Sequence, residues 1–225
     1  MTLFLNFSPF FYVDICKMLK TITFINILVF TTGLTSAQNF NAQLLAGVCA
    51  SQVSGDGLAG FNKAGIMLGA GINTSVGKKA SLGFEIYYIQ KGSRKQNDVE
   101  KGDLEYYRLR LNYMEVPVLF HYQLSDNFGI IAGPSIGTLV GSTEEDQNGE
   151  IIGQPPFIKY EVSVCGGFKY QFSDNWGLYF RGSQSMVPVR NHSGGSVYRL
   201  NRGQYNSILM FTLFYQFENK TKKND

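Results

Sequence analysis

Residues 157–172 read FIKYEVSVCGGFKYQF, and their side chains alternate between two kinds. Apolar and aromatic residues fill most even positions, while the odd positions carry Lys159, Glu161, Ser163 and further polar or small residues. A period of two predicts a β-strand with one apolar and one polar face. Strands of soluble proteins usually have about 5 or 6 residues. A tilted strand needs about 9–11 residues to cross a bilayer, so this segment is long enough to span a membrane.

The same alternation recurs along the chain and predicts an all-β fold. We expect eight strands, near residues 42–51, 63–76, 80–92, 106–124, 127–141, 157–172, 175–188 and 204–217. Tight turns are expected at residues 77–79, 125–127 and 173–175, and longer polar loops at residues 52–62, 93–105, 142–156 and 189–203. Short turns at one end and long loops at the other are typical of outer-membrane barrels. The predicted fold over residues 38–217 is an eight-stranded antiparallel up-and-down transmembrane β-barrel.

Residues 106–124 contain a change of phase. Their apolar side chains fall on odd positions up to Tyr113 and on even positions from Val116 onward. One regular strand cannot keep both sets on the same face, so we expect a bulge near residues 112–115. Pro117 lacks a ladder donor and favours an irregularity in the same place.

Composition agrees with a membrane barrel. Charged residues make up 16% of the chain and aromatic residues 14%, whereas an average soluble protein is about 25% charged. The alternative is a soluble barrel of the lipocalin kind, with its apolar face inside. Few charges on the polar face and large aromatic residues on the apolar faces favour the membrane barrel. The net charge of +3, with scattered basic residues, gives no reason to expect a nucleic-acid partner.

The N-terminus predicts a secretory signal peptide over residues 1–37. An apolar stretch at residues 21–34 follows Lys17 and Lys20 and precedes small residues up to Ala37, so cleavage is expected before Gln38. Translation from Met18 would give a shorter signal, and a membrane-anchoring helix is the alternative, although the apolar stretch is short for one. We expect residues 218–225 to form a short polar tail in the periplasm.

The cysteines suggest no metal site. Cys16 lies in the segment expected to be removed, and Cys49 and Cys165 are far apart, without metal-ligand spacing. We favour the interpretation that Cys49 and Cys165 are two small residues in separate strands. A disulfide between them is the alternative.

Three sequence motifs recur in a known family. The segment Asn112–Phe120 combines a tyrosine, a glutamate, an aliphatic residue and a proline in one strand. A Ser-Asp-Asn turn between aromatic strand ends occurs at Tyr122–Gly129 and again at Tyr170–Gly177, and the last strand closes in Tyr215-Gln216-Phe217. In these motifs the chain resembles the PorT-type outer-membrane β-barrel proteins of Bacteroidetes. The resemblance implies an outer-membrane barrel. Because the founding member is implicated in type IX protein secretion, it also implies an accessory role in secretion as an alternative function.

The strand phases place a set of charged side chains on the inward face. They are Glu85, Glu115, Lys159, Glu161, Lys169 and Arg181. An eight-stranded barrel is just wide enough for side chains to fill its interior, and charges buried there must pair. We therefore predict a lumenal charge network that plugs the barrel, with Arg181–Glu161 as a guessed pair. A small ion pathway or ligand pocket is the alternative.

The sequence offers no recognisable catalytic arrangement. His121 lies near the turn end of its strand and His192 in a long loop beside Ser193, neither with a serine and an acid in recognisable spacing. We predict a non-enzymatic structural or interaction protein of the outer membrane, without cofactor and with both termini in the periplasm. A lipid-active rim enzyme is a further alternative. Expected partners are outer-membrane lipid, the barrel-assembly machinery through the C-terminal strand, and a protein at the extracellular loops.

Overall fold

A computed structural model describes residues 40–97, 105–191 and 203–217. The strands are β1 (Phe40–Ser54), β2 (Lys63–Ser75), β3 (Ala80–Lys95), β4 (Tyr107–Gln123), β5 (Phe128–Asp146), β6 (Gly149–Glu150), β7 (Tyr160–Gln171), β8 (Trp176–Ser185) and β9 (Tyr205–Gln216). No helix in the described ranges is long and apolar enough to cross a membrane. The predicted signal peptide, His192 and the predicted tail lie outside the described residues.

Eight of these strands form a closed antiparallel barrel, which confirms the predicted fold class. Each long strand pairs with the next one along the chain, and β1 pairs with β9 to close the ring. The two-residue strand β6 pairs only with the end of β5, outside the ring. The connections β2–β3, β4–β5 and β7–β8 are short, and the other four are longer, as the sequence predicts. We call the two ends of the barrel the turn end and the loop end.

The two faces of the barrel wall follow the predicted alternation. In β7, Glu161, Ser163 and Cys165 are buried inside, while Val162 and Val164 are 42% and 49% exposed on the outside. A girdle of aromatic side chains surrounds the turn end; it comprises Phe40, Tyr122, Phe128, Tyr170, Phe172, Trp176, Tyr215 and Phe217. Such girdles mark the membrane–water interface of outer-membrane barrels.

The bulge lies on β5 and not on β4, where the sequence predicted it. Asn112 pairs with Gly141 and Tyr113 with Leu139, so the extra residue is Val140. The odd residues of β4 from Leu109 to His121 are all buried, and the strand keeps one phase throughout. The prediction failed because β4 changes which face is apolar. Its inward face is apolar at the loop end, and its outward face is apolar further toward the turn end.

Pro117 does coincide with an irregularity, but in the ladder to β3. The pairing of β3 with β4 runs from Phe84↔Val118 directly to Tyr87↔Glu115 and skips the pairs between them. The register on the two sides of this gap is the same. A missing proline donor therefore interrupts the hydrogen bonds locally without adding a residue.

The interior is packed with side chains from all parts of the ring. An apolar cluster toward the loop end includes Met67, Ile89, Leu109, Leu111 and Tyr113, each 0% exposed. Cys49 and Cys165 are both buried and unpaired. Polar and charged side chains fill the remaining interior, and they form the candidate site.

Candidate functional site

An ion pair crosses the centre of the barrel. Arg181 Nη1 on β8 donates to Glu85 Oε2 on β3 at 2.6 Å, and both side chains are 0% exposed. Strands β3 and β8 are diametrically opposite, since four steps separate them in either direction around the ring. The guanidinium also lies over the ring of Tyr179, with 5.0 Å to the centroid. This pair therefore joins the two walls of the lumen directly.

Neutral polar groups extend this cluster. Gln43 Nε2 donates to Glu85 Oε1 at 3.2 Å. Its other amide atom, Gln43 Oε1, accepts from Tyr179 Oη at 3.0 Å and from Asn73 Nδ2 at 3.2 Å. Because the amide both donates and accepts, it connects the carboxylate to side chains on two further strands.

A second buried cluster surrounds Lys91, which is 0% exposed. Its ammonium group forms ion pairs with Glu115 on β4 and, at 2.8 Å, with Glu161 on β7. Tyr87 Oη donates to Glu115 Oε2 at 2.9 Å, and Asn206 Nδ2 donates to Glu161 Oε2 at 2.7 Å. Two carboxylates thus share one ammonium group, and neutral donors stabilise their remaining lone pairs.

A third cluster lies near the loop end. Arg190 Nη1 donates to Glu144 Oε2 at 2.9 Å, and Tyr107 Oη donates to Glu144 Oε1 at 2.7 Å. Arg190 Nε donates to the Pro155 carbonyl at 2.8 Å, and the guanidinium lies over the Phe157 ring. A cavity of about 370 Å³ borders Glu144 and Arg190 and reaches the β5–β7 loop. By binding both Glu144 on β5 and the Pro155 carbonyl, Arg190 holds the β5–β7 loop against the barrel wall.

The β1–β2 loop is ordered by local hydrogen bonds. Asp56 Oδ1 accepts from the Leu58 amide at 2.8 Å, and Gly55 and Gly57 adopt φ values of 95° and 83°. Such backbone angles favour glycine because it has no Cβ. Burial raises the pKa of the Asp56 carboxyl above its ordinary value, against smaller opposite effects of hydrogen bonds from Ser93 and the backbone.

Two of the six charged residues expected in the lumen do not join these clusters. Lys159 precedes β7 and is exposed; it lines the cavity beside Glu144 and Arg190 at the loop end, and no ion pair involves it within the described residues. Lys169 does point inward, but its ammonium group lies 5.2 Å from the centroid of the Phe214 ring, and no ion pair involves it within the described residues. The guessed pair was also wrong, since Arg181 pairs with Glu85 and Glu161 pairs with Lys91.

Sequence reasoning missed Lys91, Glu144 and Arg190. Lys91 was accessible to it, because it continues the inward phase of Glu85 and Tyr87 in the same predicted strand. Glu144 could not have been predicted from the alternation, because the extra residue Val140 moves the even positions of β5 from the outward to the inward face. Arg190 lies just beyond β8, where no alternation extends.

His121 is buried in the interior toward the turn end. Its ring contacts Tyr179 edge-on, with 6.0 Å between centroids, and its Nε2 has no hydrogen-bond partner among the described groups. Ser81 is its cross-strand neighbour on β3, without a hydrogen bond between the two side chains. These contacts are those of a packed wall residue and do not assemble a nucleophile, a base and an acid.

An apolar outer face around a packed interior defines a membrane-spanning β-barrel. The chain belongs to a family of outer-membrane barrels: the model of the family described as outer membrane protein beta-barrel domain matches residues 36–190. It is therefore an outer-membrane β-barrel protein. No curated protein sequence matches the chain.

Similarities to solved structures are distant. Ail of Yersinia pestis, in complex with the heparin analogue sucrose octasulfate, is 10% identical with a TM-score of 0.47, over 80% of this chain and 99% of Ail. Neisserial surface protein A is 13% identical with a TM-score of 0.47, over 79% and 97%. The N-terminal barrel domain of Pseudomonas aeruginosa OprF is 9% identical with a TM-score of 0.38, over 80% and 99%. The family assignment rests on the family model alone.

Proposed function

We propose that this protein is a closed, non-enzymatic barrel that holds its long loops at the cell surface for interaction with a partner. The observation that carries the proposal is the Glu85–Arg181 ion pair, which joins diametrically opposite strands at 2.6 Å. An ion pathway along the axis would have to pass this contact and then the Lys91 cluster. A lumen filled in this way suits an anchor better than a pore.

The proposed orientation follows from the lengths of the connections. Outer-membrane barrels keep short turns in the periplasm and longer loops outside. The turn end would then lie in the periplasm together with both termini. The last strand, β9, presents Leu209, Phe211 and Leu213 outward, an apolar face that suits recognition by the barrel-assembly machinery. The long loops are the surface proposed for a protein partner.

Conductance tests the closed lumen. Purified protein in a planar bilayer should show no steady ionic current, because the buried ion pairs block the axis. Arg181→Ala should open at most brief, low-conductance events, since only one crossing contact is removed. A steady current in the wild-type protein, altered by Arg181→Ala, would mean an open pore and would overturn the proposal.

A second candidate is an accessory role in type IX secretion, as the resemblance to PorT-type proteins implies. The segment that carries the resemblance has a structural task here, because Glu115 binds Lys91 and Pro117 lies at the gap in the β3–β4 ladder. Deletion of the gene should then abolish export of type IX cargo, and the wild-type chain should restore it. Normal export in the deletion strain would exclude this candidate.

The proposal of a non-enzymatic protein is tested with lipid substrates. His121, the histidine that could act as a base at the rim, is only 6% exposed and lacks an acid partner among the described residues. Purified barrel should not hydrolyse phospholipid or lipid A. Hydrolysis by the wild-type protein that His121→Ala abolishes would support a lipid-active enzyme instead.

A further inference from the structure

Three arginines project from the outside of the barrel near the loop end. Arg94 on β3 is directly opposite Arg108 on β4, and Arg110 is opposite Gly92 two pairs further along. All three occupy even positions, the phase in which Phe84, Val116 and Phe120 face outward. They are the cations that the described strands present on their outward face.

Their height places them at the edge of the lipid. Tyr122 belongs to the aromatic girdle, and twelve residues separate it from Arg110 on the same strand. At about 3.3 Å per residue and a tilt of about 40°, Arg110 lies about 30 Å from the girdle along the barrel axis. The apolar band of such barrels is about 25 Å tall, so Arg110 and Arg108 lie just beyond it, at the level of the lipid headgroups.

The protein supplies little negative charge to these arginines. Glu145 on β5 is directly opposite Arg108 and lies 4.0 Å from Arg110 Nη2, so among the described residues one carboxylate adjoins three guanidinium groups. The Nε atoms of Arg94, Arg108 and Arg110 are covered by the protein, yet none makes a hydrogen bond to a described group. Like charges directly opposite each other on adjacent strands destabilise a sheet. An arrangement of this kind is stabilised by an external anion.

The cationic group is confined to one side of the ring. Toward the loop end, the outward positions of three other described strands carry neutral residues: Gln52 on β1, Gln184 on β8 and Ser207 on β9. A headgroup bound at β3 and β4 would therefore be held at a defined site and not by a diffuse collar of charge. The planar guanidinium matches the oxygens of a phosphate group with two parallel hydrogen bonds.

We propose that Arg94, Arg108 and Arg110 form a binding site for the phosphate groups of lipid in the outer leaflet. The site is continuous with the lipid-facing wall below it, where Tyr88 and Ile86 lie on the same face of β3. The assignment to the outer leaflet rests on the orientation given under Proposed function. The preference for phosphate-bearing lipid follows from the three arginines and does not depend on that orientation.

The experiment compares lipid retention in nanodiscs. Wild-type barrel in phosphatidylcholine with a small fraction of lipid A, phosphorylated or dephosphorylated, is repurified, and the retained lipid is counted by mass spectrometry. The wild type should enrich the phosphorylated form. The triple variant Arg94→Gln/Arg108→Gln/Arg110→Gln should lose that preference on the order of a hundredfold, because each surface cation adds to the attraction of anionic lipid. Lys78→Gln/Lys79→Gln, in a turn at the other end, is the matched control and should leave the preference unchanged.

Three results would contradict the proposal. Equal retention of both lipids by the wild type would exclude a phosphate site, and an unchanged preference in the triple variant would exclude these arginines. Displacement of the lipid by millimolar inorganic phosphate would show a free-anion site and not a lipid site. If the triple variant does not refold, Arg110→Gln alone should reduce the preference about fivefold. Because retention in nanodiscs involves neither conductance nor cellular orientation, its failure would leave the closed-barrel proposal standing.

Discussion

Arg181 illustrates how a charge is kept in the middle of a narrow barrel. Its Nη1 bonds to Glu85, while its Nε and Nη2 have no hydrogen-bond partner among the described groups. The guanidinium lies over the rings of Tyr179 and Tyr87, at 5.0 and 5.8 Å from their centroids. Aromatic faces attract a desolvated cation. The carboxylate and the two rings together compensate the burial of this arginine.

Removing the cation should expose the cost of the buried carboxylate. We expect Arg181→Ala to lower the free energy of unfolding by about 3–5 kcal/mol, since Glu85 is left buried without a counter-charge. The double variant Glu85→Ala/Arg181→Ala should recover part of this loss. Unfolding in urea from lipid vesicles can be followed by fluorescence of Trp176, the single tryptophan of the chain.

The matched control for this coupling is Glu161→Ala. Glu161 bonds to Lys91 and Asn206 and not to Arg181, so the losses of Arg181→Ala and Glu161→Ala should add. The observed pairing would be contradicted if Glu161→Ala/Arg181→Ala recovered stability while the losses in Glu85→Ala/Arg181→Ala were additive.

Val162 provides a test of which face meets lipid. It lies in β7 on the outer wall and is 42% exposed, next to the buried Glu161. Val162→Arg should reduce the free energy of unfolding in vesicles by up to about 2 kcal/mol, because a cation on the lipid face costs about 2–4 kcal/mol at the midplane and less toward the interfaces. Val162→Leu keeps the side chain apolar and should be close to neutral. Equal stability of the two variants would mean that this face does not meet hydrocarbon.

At the scale of an element, β5 shows how one inserted residue changes the chemistry of the barrel. On the turn side of Val140 its odd residues face inward, and on the loop side its even residues do so. The change brings Glu144 inside, where it meets Tyr107 and Arg190. It leaves Glu145 outside, near Arg110. The bulge thus determines which of two neighbouring glutamates faces the lumen.

Deletion of Val140 should remove the bulge and keep this assignment. Leu139 and Gly141 would then be consecutive, and the pairs on both sides of the bulge, Tyr113 with Leu139 and Leu109 with Glu144, would be unchanged. Arg190 keeps its carboxylate in that variant, so we expect little change in the free energy of unfolding. Glu144→Ala leaves Arg190 without its carboxylate and should cost about 3–5 kcal/mol. Equal losses in the two variants would contradict the register on the loop side of Val140.

The strands were predictable because each one separates two environments. Lipid on one side and a polar lumen on the other impose the period of two seen in β7 and β9. The prediction failed in β4, where Leu109 and Leu111 pack into an apolar part of the lumen. Alternation reports a difference between two faces, so it misleads wherever both faces are apolar within one strand.

The partners of the lumenal charges were not predictable in the same way. Phase alone identified Glu85, Glu115, Glu161 and Arg181 as inward-facing. Which of them meet depends on the register of all eight strands, and register accumulates around the ring from every turn and bulge. Lys159 shows a different limit, because the phase of a strand does not tell whether an inward side chain near the loop end is buried or exposed.

At the scale of the whole molecule, the protein reverses the usual arrangement of polarity. Its outer wall is largely apolar, and its fully buried ion pairs lie within. The protein should therefore fractionate with the outer membrane and resist extraction by high salt. With the predicted signal peptide removed, mass spectrometry should find a mature chain that begins at Gln38. Recovery of the chain as a soluble periplasmic protein would contradict the interpretation that its outer wall faces lipid, and with it the location in the outer membrane.

The pairing of β1 with β9 also has a kinetic consequence. Every other seam of the ring joins strands that follow each other along the chain, but this one joins residues roughly 150 to 170 positions apart. Closing so long a loop costs about 3 kcal/mol more in chain entropy than closing a four-residue turn. The seven sequential seams can form as hairpins zip together, while the eighth must wait for the last strand. Until then both edges of the sheet carry unpaired backbone groups that hydrocarbon cannot satisfy. Ring closure and stable insertion should therefore be one late, cooperative event.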